Sequence, residues 1–147
     1  MSELTLDIAR VKKYAKEPPP PGMGVDIGSQ PYGDYFRITD DLTFSHWEFD
    51  FAEPSIQQLR IDYPDNEIKA DIALKQLRGY RNKLLAKSDK FVTVDYPLSI
   101  EIKSQIVSWR QELRDLPETI DPELLTIDET GRFDKSNIPP PPAGINL

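Results

Sequence analysis

"LRGYRNKLLAKSDKFVTVDYPLS", residues 77–99, decides how this chain folds. Leu77, Tyr80 and Leu84 recur at three- and four-residue spacing, the rhythm of one helical face. "SDKFVTVDYPL" then breaks that rhythm. Pro97 has no N–H to donate and pushes Tyr96 out of the α region, so the helix cannot run through it. Ser99 supplies a hydroxyl that can open a second helix. Working outward, the first helix is predicted over Asn66–Lys87, with Asp65 or Asn66 as cap. Glu67 and Asp71 suit its positive end, Lys83 and Lys87 its negative end. Ala70, Ala73, Leu77, Tyr80 and Leu84 form its apolar stripe, and Gly79 inside it, costing up to about 1 kcal/mol relative to alanine, reads as the mark of a close helix contact. The second helix is predicted from Ile100 to about Asp115, with Ile102, Ile106, Trp109 and Leu113 on one face and Pro117 as its stop. Two such helices should pack as an antiparallel hairpin.

Upstream the period changes from helical to alternating. "YFRI" (35–38), the turn-like "TDDL" and "TFSHWEFDF" (43–51) read as a short β-hairpin, with Trp47, Phe49 and Phe51 on one face and His46, Glu48 and Asp50 on the other. A lone hairpin is marginal in water, so its aromatic face needs a cover; Trp47 and Phe49 are therefore candidate partner contacts. Pro54 and Ser55 can open a helical turn through Ile56 and Leu59, closed by Tyr63–Asp65. Residues 1–16 place Leu4, Ile8, Val11 and Tyr14 at helical spacing, although Thr5 and Leu6 could equally begin an extended segment.

"EPPPPGMG" from Glu17 and "NIPPPPAG" from Asn137 repeat one device near both ends: four prolines, then glycine. Such runs favour polyproline II, a stiff extended rod that loses little entropy on binding. Pro18, Pro21, Pro139 and Pro142 are accordingly read as docking contacts to a larger assembly, with Met23, Val25, Ile138 and Ile145 as anchors. Removing both arms is expected to leave the helical hairpin folded. Residues 118–147 show no strong period, and from Asp115 to Glu129 they hold six carboxylates and no base; alone they read as a mobile tail. The fold class expected is α+β: a small β-hairpin followed by an antiparallel two-helix hairpin, with extended proline-rich N- and C-terminal arms. The chain divides into 1–31 (helix or extended arm), 32–65 (hairpin and helical turn), 66–117 (helical hairpin) and 118–147 (arm).

Composition narrows the chemistry. The 147 residues carry 18 lysines and arginines against 25 carboxylates, a net charge of -7, which argues against a phosphate backbone as partner. With no cysteine, disulfides, thiolate metal sites and thiol nucleophiles are excluded. No apolar run approaches the roughly 20 residues that cross a bilayer, and the N-terminus is too charged for a signal peptide; a cytoplasmically made soluble protein is expected. His46, the single histidine, shares a strand face with Glu48 and Asp50, an arrangement that usually gives a solvated side chain rather than a base. Glycines 22, 24 and 28 follow prolines instead of a strand, so they make no phosphate loop. No enzyme reading survives, and no cofactor, metal or small-molecule substrate is expected.

The helix pair carries a distinctive order: Arg78, Arg81, Leu84 and Leu85, then Asp89 and Phe91, then Asp95, Pro97 and Leu98, then Trp109, Arg110, Leu113, Arg114 and Pro117. Over residues 74–118 this resembles the small domain of phage tail assembly chaperone proteins, the type encoded beside tail-fibre genes. It departs where Lys90 displaces the aromatic and Phe91 replaces the usual tryptophan, and where Trp109 stands for a common tyrosine. The resemblance implies a chaperone that binds a tail-fibre or other tail or baseplate protein in the host cytoplasm during assembly; the proline arms at both ends favour its staying attached in the virion, and the alternative is a purely structural adaptor. Leu77, Tyr80, Leu84, Ile106, Trp109 and Leu113 would close the internal seam, with Asp89, Phe91, Asp95, Pro97 and Pro117 shaping the connector and ends. Arg78, Arg81, Arg110 and Arg114 would border it, either pairing with Asp89, Asp95 and Asp115 or reaching the partner.

Overall fold

The computed structural model describes residues 1–16 and 35–147; Pro18, Pro21, Met23, Val25 and the rest of the N-terminal arm lie outside the described residues. Two compact units emerge, Met1–Ile68 and Lys69–Leu147. The elements are α1 (Glu3–Lys16), β1 (Phe36–Ile38), β2 (Phe44–Trp47), α2 (Ile56–Asp62), α3 (Asp65–Ser88) and α4 (Ile100–Thr119). The class is α+β, a two-stranded antiparallel hairpin followed by helices.

In the first unit Phe36 pairs with Trp47 and Ile38 with Phe44, with an irregularity between Arg37 and Ile38. The second strand is shorter than the alternation suggested and ends at Trp47. Phe49 and Phe51 nevertheless turn inward and are buried. Tyr35 stacks on Phe49 at 5.3 Å, and Tyr14 of α1 meets Phe51 edge-on at 5.5 Å. The aromatic face thus finds part of its cover within its own unit. Residues 3–16 take the helical option, because Leu6, Val11 and Ala15 are buried with Ile56 and Leu59 of α2.

A buried ionic knot holds this unit. Asp7 is fully buried and accepts from Arg10 at 2.7 Å and from Arg60 at 3.0 and 2.6 Å. Arg10, itself 1 % exposed, also donates to the Tyr63 carbonyl at 2.8 Å and to Asp65. Every charge is paired, as burial requires. Nothing in the periodicity of residues 1–16 announced that Asp7 and Arg10 would point inward.

In the second unit the predicted helical hairpin forms, with three corrections. First, Gly79 is not a close contact: it is exposed, and a Cβ there would meet nothing within 4 Å. Second, Pro117 does not stop α4, which runs to Thr119. Proline's fixed φ is itself helical and only one N–H is lost, while Ile120 N still bonds the Leu116 carbonyl at 2.9 Å. Third, residues 120–147 are not a tail lying away from the hairpin. They fold back along it and supply part of its core.

That return has two turns. Asp128 to Gly131 forms a turn closed by Gly131 N to Asp128 O at 2.9 Å, with Gly131 at φ 79, and Asp128 N then bonds Arg132 O at 2.9 Å. This is the three-residue hairpin loop in which glycine takes the left-handed position. It brings Phe133 opposite Ile127 and onto Ala73 and Leu77. The second turn follows the prolines: Ile145 N bonds Pro142 O at 3.2 Å, with Gly144 at φ 87. It directs Ile145 onto Phe91 and Ile106. The four prolines and the glycine therefore act as a ruler and a bend within the unit itself.

Candidate functional site

Arg110, buried on α4, reaches across to the end of α3. Its Nη1 donates to the Leu85 carbonyl at 2.8 Å and to Ser88 Oγ at 2.5 Å, and its Nη2 to the Asp89 carboxylate at 2.6 Å. The last carbonyls of a helix have no partner within it, and here a guanidinium from the next helix supplies one. The Ser88 hydroxyl, also buried, donates to the same Leu85 carbonyl at 3.0 Å. A planar fork can serve these acceptors together, whereas an ammonium is a single point donor. The expected clamp between an arginine and Asp89 is thus made by Arg110.

The clamp fixes the connector. Asp89–Val92 is a 3-10 turn that buries Phe91, whose ring meets Tyr96 edge-on at 4.9 Å. Leu98 and Ile102 pack around it. Lys103 Nζ then donates to the carbonyls of Thr93 at 3.4 Å and Val94 at 3.1 Å. Ser99 Oγ accepts from Ile102 N and starts α4. The consequence is an outward display. Val94 is 91 % exposed and Ile100 83 %, with Val92 and Val107 also exposed. Ile100, Val107 and Arg114 succeed one another at seven-residue intervals, so they form one row along α4.

The remaining expected residues fall in separate places. Leu77, Ile106, Trp109 and Leu113 are buried, Leu77 with Ala73 and Phe133 and Ile106 with Phe91 and Ile145; Leu84 is half-buried, and Tyr80 lies under Lys135 Nζ at 4.1 Å. Arg78 and Arg114 are exposed, and Arg81 donates to Asn82 at 3.0 and 3.1 Å. Asp95 and Pro97 are exposed; Asp115 accepts from Gln111 at 2.9 Å instead of from an arginine. In the first unit Phe49 is buried, and Trp47 donates to the Phe51 carbonyl at 2.9 Å. Pro139 accepts the Trp109 indole N–H at 2.9 Å, and Pro142 lines an open groove of about 370 Å³ with Ser104, Gln105, Ser108 and Trp109. His46 Nε2 lies 3.0 Å from the Glu48 carboxylate on the half-exposed strand. Among the described residues no group of three His, Asp or Glu side chains is placed to hold a metal, and no helix is long and apolar enough to cross a membrane.

Sequence reasoning missed Gln76 and Phe133. The Gln76 side chain behaves like a strand edge: Nε2 donates to the Gly131 carbonyl at 2.7 Å and Oε1 accepts from Phe133 N at 2.9 Å. A signal was present in "DETG", aspartate first and glycine fourth, a strong turn signature. It is followed by the only aromatic residue after Trp109.

No curated protein and no solved structure matches this chain. Residues 74–130, which take in α3 from Leu74 onward, the clamped connector, α4 and the Asp128 turn, match the family model of the phage tail assembly chaperone protein.

Proposed function

We propose that this protein is a tail assembly chaperone that holds a tail-fibre or other tail or baseplate polypeptide through the connector and outer row of α4, without catalysis and without a cofactor, and remains with that partner in the virion. The observation that carries this reading is the display of Val92, Val94, Ile100 and Val107 inside the family-matched segment. Scattered exposed aliphatic side chains are ordinary, but four within one connector and the helix it leads into, braced by a buried arginine and a lysine, suit an interface. Arg114, exposed at the end of the row, suits a carboxylate on the partner. The first test is co-expression of the tagged chain with tail-fibre protein. Val94→Asp with Ile100→Asp should abolish co-purification while leaving helix content by circular dichroism unchanged; full recovery of the fibre protein would refute the reading. Retention is decided by mass spectrometry of mature particles. A fixed ratio to fibre protein means that the chain stays, and its absence means that it departs.

A further inference from the structure

The outer face of α3 has features that its own fold does not explain. Lys75, Arg78, Lys83 and Lys87 are exposed there, and among the described residues none makes an ion pair or hydrogen bond. Lys75 and Arg78 are three residues apart and Lys83 and Lys87 four, so like charges stand as helix neighbours, an unfavourable arrangement. Gly79 lies among them. A mid-helix glycine weakens a helix, and neither a left-handed backbone nor internal packing calls for one here. Ala86, exposed two turns further on, and Asn82 between them continue a strip of short side chains flanked by cations. Such a surface lets another backbone come close and offers it positive charge.

The complementary surface is present in the same chain. Residues 38–53 carry Asp40, Asp41, Glu48, Asp50 and Glu53 and no lysine or arginine, and Asp40, Asp50 and Glu53 are exposed. Residues 69–147 hold twelve cations and twelve carboxylates, so the whole net charge of -7 resides in residues 1–68. We propose that the Gly79 face of α3 is a docking surface for a second copy of this chain, which presents its acidic segment 40–53. The contact joins two different surfaces, so it repeats head to tail into a ring or an open row. Charge complementarity sets its register and makes it sensitive to salt. This inference stands apart from the tail-partner reading, which uses the connector and the row on α4.

Sedimentation velocity of the full chain tests it. At about 0.01 M salt, where screening reaches about 30 Å, the mass should rise above 16.8 kDa with concentration; at about 1 M, where it reaches about 3 Å, it should return to 16.8 kDa. One variant carries Arg78→Glu and Lys83→Glu, another Asp40→Lys, Asp50→Lys and Glu53→Lys. Each alone should stay monomeric, and an equimolar mixture should associate, because each reversed surface then meets its opposite. Gly79→Gln should weaken association at least tenfold without lowering the thermal midpoint. A chain of 16.8 kDa at every concentration in low salt, association indifferent to the reversals, or a mixture that stays monomeric would each overturn the proposal. In all three cases co-purification with fibre protein could still succeed.

Discussion

At the residue scale, the two arginines that fold this molecule do the same job in different units. Arg10 binds the Tyr63 carbonyl at the end of α2 and pairs with Asp7 and Asp65; Arg110 binds the Leu85 carbonyl near the end of α3 and pairs with Asp89. Asp7 is the more demanding case. Burial alone raises its pKa, but hydrogen bonds from Arg60 and Arg10 and their charge outweigh that and hold it below its ordinary 3.8. A carboxylate depressed in the folded state contributes stability that is fully present above its unfolded pKa and is lost as pH falls through the folded one. Wild type should therefore be more stable than Asp7→Asn near neutral pH, and the gap between their thermal midpoints should close below about pH 4. A gap that is constant or widens on acidification would refute the assignment.

At the element scale, the difference between what was legible and what was not follows the range of the cause. α3, the connector and α4 were readable because their signals are local: a stripe at helical spacing, Ser99 as cap, Pro97 as breaker. The end of α4 was misjudged because one missing N–H near a terminus is cheaper than it is mid-helix. Gly79 was misread because a glycine in sequence does not say whether it faces a neighbour or water. The returning segment of residues 120–147 was hidden, since its ordering depends on Gln76 and on apolar side chains of α3 and α4 that only the folded pair brings together. Its turns were legible in principle, and the second one can be tested. Gly144 sits at φ 87 as the third residue of a turn, where an L side chain is strained even though no atom crowds its Cβ position. Gly144→Ala should cost about 1–2 kcal/mol, a backbone cost only. Urea unfolding that shows no change in midpoint would mean that the turn does not hold Ile145 in place.

At the scale of the whole molecule, the paired proline runs invite a symmetrical reading as arms docked in a larger assembly, whereas the C-terminal one lies against its own unit. Phe133 fills the space over Ala73 and Leu77, with Leu116, Ile120 and Ile138 around it, while Ile145 closes the space over Phe91 and Ile106. The family match ends at residue 130, before both side chains. The hairpin as matched therefore leaves two apolar hollows that the remaining chain covers. Burying a phenylalanine and an isoleucine is worth about 1.5–3 kcal/mol each, a large share of the stability of a unit this small. Deleting residues 131–147 should consequently lower the melting temperature of the second unit by ten degrees or more. Amide hydrogen exchange should then be faster in α3 beyond Lys69 and throughout α4, with the Asp7 network of the first unit unaffected. Unchanged protection in both helices would show that the hairpin is complete at residue 130 and that the returning segment merely rests on it.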